Sequence, residues 1–220
     1  MSEFDLDEAA AREDLCRFLS ACFYEPGPEF AEENLFDSML AAATRIDPEL
    51  ADLVRKLSDA FAAQDLQTLL VDYTRLFLGP VQALASPYGS SWLKAPAQTE
   101  ENPPPAVLEL YSAGGMETDT EFMELPDHIA VELEFLYLLT FNGNEARRTG
   151  QLDELSATEQ LEKEFLAEHL GAWVGPFAAA VKSGAETAFY CQLAELTERF
   201  IRMKQANLGA VHASAGVKPT

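Results

Sequence analysis

The stretch "HIAVELEFLYLLTF", residues 128–141, decides how the rest of the chain is read. Ile129, Val131, Leu133, Phe135, Leu136, Leu138 and Leu139 make it apolar nearly all round as a helix, and a helix apolar on every side is a buried one. Glu132 and Glu134 interrupt it. A carboxylate there must find a donor or cost several kcal/mol.

Helical periodicity spreads outward from this segment. Upstream, Leu15, Phe18, Leu19, Cys22 and Phe23 recur at i, i+3, i+4, i+7 and i+8, with a stop near Pro26. Phe36, Met39, Leu40 and Ala43 repeat the pattern, as do Leu50, Leu53, Val54, Leu57 and Phe61 after a start at Asp47-Pro48. Leu66, Leu69, Leu70, Tyr73, Leu76 and Phe77 predict a further helix, stopped by Gly79-Pro80. Downstream, helices are predicted over about 155–173, from Pro176 onward and over about 186–205, and a short one over about 105–113. No alternating run is long enough for a sheet. The expected fold is all-α: a single helical bundle of about 8–10 helices, broken by a proline-rich loop or hinge over 80–105. The helical domain then covers 1–206, divided into 1–79, the hinge and 106–206, with 207–220 a flexible tail.

The hinge holds six of the chain's 12 prolines and also Tyr88 and Trp92. A loop this long inside a compact domain is usually functional or disordered. Its aromatic residues argue against plain disorder.

Of 220 residues, 37 are acidic and 15 basic, a net charge of −22. Such a surface repels phosphate backbones and anionic lipid and attracts a basic partner, so no nucleic-acid binding and no membrane insertion are expected. The start, "MSEFDLDEAA", does not read as a secretory signal, and Arg147-Arg148 lies mid-chain, so it is not an export signal of this protein itself. Cys16, Cys22 and Cys191 are an odd, sparse set, which fits buried thiols in a reducing compartment. No glycine-rich phosphate loop, H-E-x-x-H, CxxC pair or Gly-x-Ser-x-Gly elbow occurs, so no catalytic residues are assigned and an enzyme is not expected.

Charge is uneven. From Ala95 to Ala146 there are eleven carboxylates and no Lys or Arg. Most of these carboxylates read as a solvated face. Asp127, after Pro126, is placed to cap the following helix. His128 lies four residues before Glu132, on the same face, which predicts a His–Glu pair. The same end of the helix, free of positive charge, could take guanidinium groups in bidentate hydrogen bonds. A metal site from Asp127, His128 and Glu132 is the competing reading, short of further ligands.

"YTRLFLGP" (73–80), "SPYGSSW" (86–92) and "LPDHIAVELEFLYLL" (125–139), in this order and spacing, resemble the TorD/DmsD family of molybdoenzyme chaperones, also called redox enzyme maturation proteins. "FLAEHLGAWVGPF" (165–177) is also similar to the family's C-terminal region. The resemblance implies an all-helical cytoplasmic chaperone without cofactor. Its partner is an apo-molybdoenzyme precursor with a twin-arginine signal peptide, held until the molybdenum cofactor is inserted and before Tat export. Cofactor-delivery proteins are possible further partners, and the chaperone is a monomer or a domain-swapped dimer. Carried onto this sequence, the family's leader-binding positions are Tyr73, Leu76, Phe77, Pro87, Tyr88, Asp127 and His128. To these the residues themselves add Trp92 as apolar wall and Glu132 as a neighbouring acid. NarJ-type relatives, which serve a non-exported subunit, are the nearby alternative.

Overall fold

A computed structural model describes residues 3–32, 34–79, 82–93, 105–116 and 124–215. Helices α1 (Glu3–Cys22), α2 (Glu29–Glu32), α3 (Leu35–Ile46), α4 (Pro48–Ala62) and α5 (Leu66–Tyr73) form the first half. Helices α6 (Pro105–Ala113), α7 (Ile129–Thr149), α8 (Leu152–Glu168), α9 (Leu170–Gly184) and α10 (Ala188–Ala215) form the second. The described residues contain no strand beyond one isolated bridge, so the fold is all-α.

The two halves share one core. α7 lies against α1 and α8, while α10 lies against α4 and α9. Phe23, just past α1, meets Phe177 of α9 at 5.7 Å, and Phe61 of α4 meets Phe189 of α10 at 5.8 Å. Ile129, Leu133, Phe135, Leu136 and Leu139 are all sealed from solvent, as the apolar wheel of this segment requires.

Local chemistry explains most boundaries. Asp47 caps α4, accepting the Glu49 and Leu50 amides at 2.8 and 3.3 Å, with Pro48 at the first helical position. α5 does not end at Tyr73 but widens into a π-helical turn, Thr74–Leu78, closed by the Gly79 amide on Thr74 O at 2.7 Å. The wider turn keeps both Leu76 and Phe77 inside and leaves Leu78 exposed. Gly79 then leaves at φ 58°, and a Cβ there would fall 2.3 Å from Gln82 O.

Three expectations need correction. The break between α8 and α9 falls at His169, not at Pro176, which sits inside α9. His169 adopts φ −121°, ψ −112°, which ends the α8 ladder seven residues before the proline. α10 runs on to Ala215 rather than ending near 205, so most of the expected tail is helical; 207–215 is rich in alanine and holds no proline. Cys191 is half-buried, whereas Cys16 and Cys22 are buried, and burial pushes their thiols up to about 11 and about 12. Much of the predicted hinge, 80–81 and 94–104, lies outside the described residues.

Candidate peptide-binding site

The described part of the proline loop, residues 82–93, forms a strap laid along the entrance to α7. The Gly89 amide donates to Asp127 O and the Ile129 amide to Pro87 O, each at 2.8 Å, and Tyr88 and His128 pair as a single antiparallel bridge. The strap's outer end is tied by Tyr88 Oη donating to Glu124 Oε2 at 3.1 Å. Its far end folds on itself, with Trp92 Nε1 donating to Ser86 O at 2.9 Å. The Ala85 amide bonds Leu76 O at 2.8 Å, which joins the strap to the π-turn.

Asp127 does not cap α7. Its carboxylate turns away and accepts the Ser90 amide through Oδ2 at 2.9 Å. His128 is the cap: its Nδ1 accepts the Ala130 amide at 3.2 Å. That bond requires Nδ1 to be unprotonated. Burial agrees, holding the ring's pKa down to about 4. His128 is therefore neutral at pH 7, enclosed by Tyr24 stacked at 6.1 Å and Tyr88 edge-on at 5.3 Å.

Nor does Glu132 pair with His128. Its Oε2 accepts the indole N–H of Trp173 at 3.0 Å, and the residue is 0% exposed. The helical spacing is correct, but the cap bond fixes the imidazole at the helix end. Burial drives the Glu132 carboxyl well above its ordinary value; the Trp173 bond opposes this and the Asp127 charge adds to it. Glu134, the other acid in the helix, accepts Tyr24 Oη at 2.9 Å.

The nine candidate residues thus divide. Pro87, Tyr88, Asp127, His128 and Glu132 converge where the strap crosses α7. Trp92 joins them to the rest through Phe177, 6.2 Å away; Phe177 in turn stacks on Phe77 at 6.2 Å. Tyr73, Leu76 and Phe77 are core residues here, not open wall. Tyr88 and Trp92 are half-buried and face the rim. Four contributors went unassigned in the sequence. Tyr24, Gly89, Tyr111 and Trp173 reach the site from the segment just after α1, the strap, α6 and α9. Trp173 was visible only as part of "GAWVGPF", with no helical spacing to relate it to Glu132.

Asp127 Oδ1 and Glu132 Oε1 are buried with no hydrogen-bond partner among the described residues, and neither acid forms an ion pair there. No group of three or more His, Cys, Asp and Glu among the described residues could hold a metal ion, so the metal reading of Asp127, His128 and Glu132 lacks support.

A family model described as the nitrate reductase delta subunit matches residues 43–179. A protein of Vibrio cholerae serotype O1 (strain M66-2) named chaperone protein TorD is 30% identical over 173 residues, 78% of this chain and 77% of that one. The chain belongs to the TorD chaperone family. Other members are similar to a like degree. The Shewanella loihica chaperone protein TorD is 28% identical over 82% of this chain and 81% of its own. That of Vibrio parahaemolyticus is 28% identical over 72% of each. Family membership agrees with the absence of a catalytic constellation, because these relatives are named as chaperones. No helix among the described residues is long and apolar enough to cross a membrane.

Proposed function

We propose that this TorD-family chaperone binds the twin-arginine leader of a molybdoenzyme precursor in the cytoplasm and holds it until the molybdenum cofactor is in place, before Tat export. One observation carries the reading. Two buried acids, Asp127 and Glu132, each have one carboxyl oxygen with no partner among the described residues, beside an aromatic strap. Unpaired buried acceptors are costly, and guanidinium supplies the planar donors that would satisfy them. The neighbouring rings of Tyr88 and Trp92 suit the apolar stretch that follows the arginine pair. Acceptors this deep require the strap to lift before an arginine enters.

Calorimetric titration of a twin-arginine leader peptide tests the proposal. Binding is expected to weaken with salt and to drop sharply in Asp127→Ala. Equal affinity for Arg-Arg and Lys-Lys leaders, unchanged in the variant, would sink it.

A second reading, assembly of a non-exported molybdoenzyme subunit, is favoured by the family model's description as a nitrate reductase delta subunit. It predicts tight binding to a client from which any leader has been removed.

A further inference from the structure

Among the described residues, no cation pairs with Asp127 or Glu132. Among the described residues, the titratable groups around them are Tyr24 just after α1, Tyr88 from the strap, Tyr111 from α6, Glu124 and His128 from the segment entering α7, Glu134 within it, and His169 from the α8–α9 junction; Tyr88, Tyr111 and His169 feel the Asp127 charge, and Tyr111 that of Glu132 as well. His128 is buried with Nδ1 committed as an acceptor. Tyr111 Oη donates to Pro126 O and does not serve either acid. The two carboxyls bracket one peptide unit: Ser90 N–H is bonded to Asp127 Oδ2, and a Cβ added at Gly89 would lie 3.1 Å from Glu132 Oε1. Among the described residues, Asp127 has a backbone donor and is 2% exposed, whereas Glu132 has only the Trp173 indole and is 0% exposed. Of the two, Glu132 is the acid whose ionised form is the more poorly solvated.

We propose that Glu132 keeps its proton while the strap is closed, and that entry of a guanidinium beside Asp127 and Glu132 expels that proton to solvent, so that capture of an arginine-bearing peptide is coupled to release of a proton. In the step, the Glu132 O–H bond breaks, its electron pair stays on the carboxylate, and the proton passes to water or buffer. The guanidinium then bonds the carboxylate with no change of its own protonation. The coupling makes the site self-guarding: empty, it holds one negative charge rather than two, and lysine- or arginine-bearing segments must compete with a proton. Lowering the pH weakens capture by about tenfold per unit once the proton is fully competitive. The role of Glu132 rests on the leader-binding reading, and two measurements separate the two.

The first needs no peptide. Carboxyl carbon NMR of the full chain, assigned with Glu132→Gln, should show the Glu132 side chain protonated at pH 7. A Glu132 resonance ionised at pH 7 overturns the proposal and leaves leader binding untouched. The second is titration of the leader peptide at one pH in phosphate and in Tris, whose ionisation enthalpies differ. The apparent enthalpy should vary with buffer by about one released proton in the wild type, and this should be lost in Glu132→Gln. Tight binding with a buffer-independent enthalpy overturns the coupling alone. No binding in either buffer overturns the leader-binding reading, and the coupling with it.

Discussion

Trp173 on α9 donates its indole N–H to Glu132 on α7 at 3.0 Å, and both residues are 0% exposed. Among the described residues, that bond is the carboxyl group's one hydrogen bond, and its other oxygen has no partner. Burial holds the folded-state pKa of Glu132 above its unfolded value. The folded chain therefore binds the proton more tightly, and the group's contribution to stability is complete below the ordinary glutamate range and is lost as pH rises through the raised value. Glu132→Gln removes that loss while keeping an oxygen for Trp173. Its stability relative to wild type should increase from pH 4 to pH 8, measured by denaturant midpoints. A constant difference across that range would contradict the assignment.

His128 has the opposite pH dependence. Its pKa falls from 6.5 to about 4 on folding. The unfolded chain takes up a proton below 6.5 and the folded chain resists until about 4, so stability falls with pH through that window. The total is roughly 3 kcal/mol at about 1.4 kcal/mol per unit. His128→Asn keeps a capping acceptor and removes the titration. Unfolding measured at pH 7, 5.5 and 4.5 should show the variant losing less stability than the wild type. Parallel losses would exclude His128 as the cause.

Asp72, buried in α5, accepts the Glu186 amide at 3.0 Å, the Thr187 amide at 2.8 Å and Thr187 Oγ1 at 2.8 Å. It thereby places a negative charge at the start of α10 from a distant helix. Asp72→Ala strands those donors and should cost about 3 kcal/mol, a fall in Tm of roughly 6–12 °C for a domain of this size. Asp72→Asn should recover part of it. Calorimetric melting of the two variants checks both statements.

Lys204 of α10 is 6% exposed and donates to Glu162 Oε1 at 2.8 Å and Thr140 Oγ1 at 2.7 Å. Lys204→Met leaves Glu162 without its cation and should cost about 3–5 kcal/mol. Adding Glu162→Leu should restore most of that loss, because an apolar pair needs no counter-charge. A double variant as unstable as the single one would mean that packing, not charge, holds α8 to α10.

The bundle was legible in residues 128–141 and in the heptad-like spacing from Leu15 to Phe77, because burial of one helical face imposes a period on any sequence that does it. Asp47-Pro48 and Gly79-Pro80 were legible for a similar reason: caps and stops act through the next few residues. The π-turn at Thr74–Leu78 was not, since one extra residue per turn hardly alters the apolar pattern. Pro176 was misleading because a proline marks where a helix can begin, not where it must.

Of the site, the sequence by itself determined the ingredients: an acid and a histidine at the head of a buried helix, a strap of prolines and aromatics, and 52 residues from Ala95 to Ala146 without a Lys or Arg. Only the tertiary structure decided who bonds to whom. His128 took the cap from Asp127, Ser90 took the carboxylate so released, and Trp173 reached Glu132 from 41 residues away. Local rules rank neighbours within a turn or two. The strength of a buried charge depends instead on every donor that the fold brings to it, and here those donors arrive from α9 and from the strap.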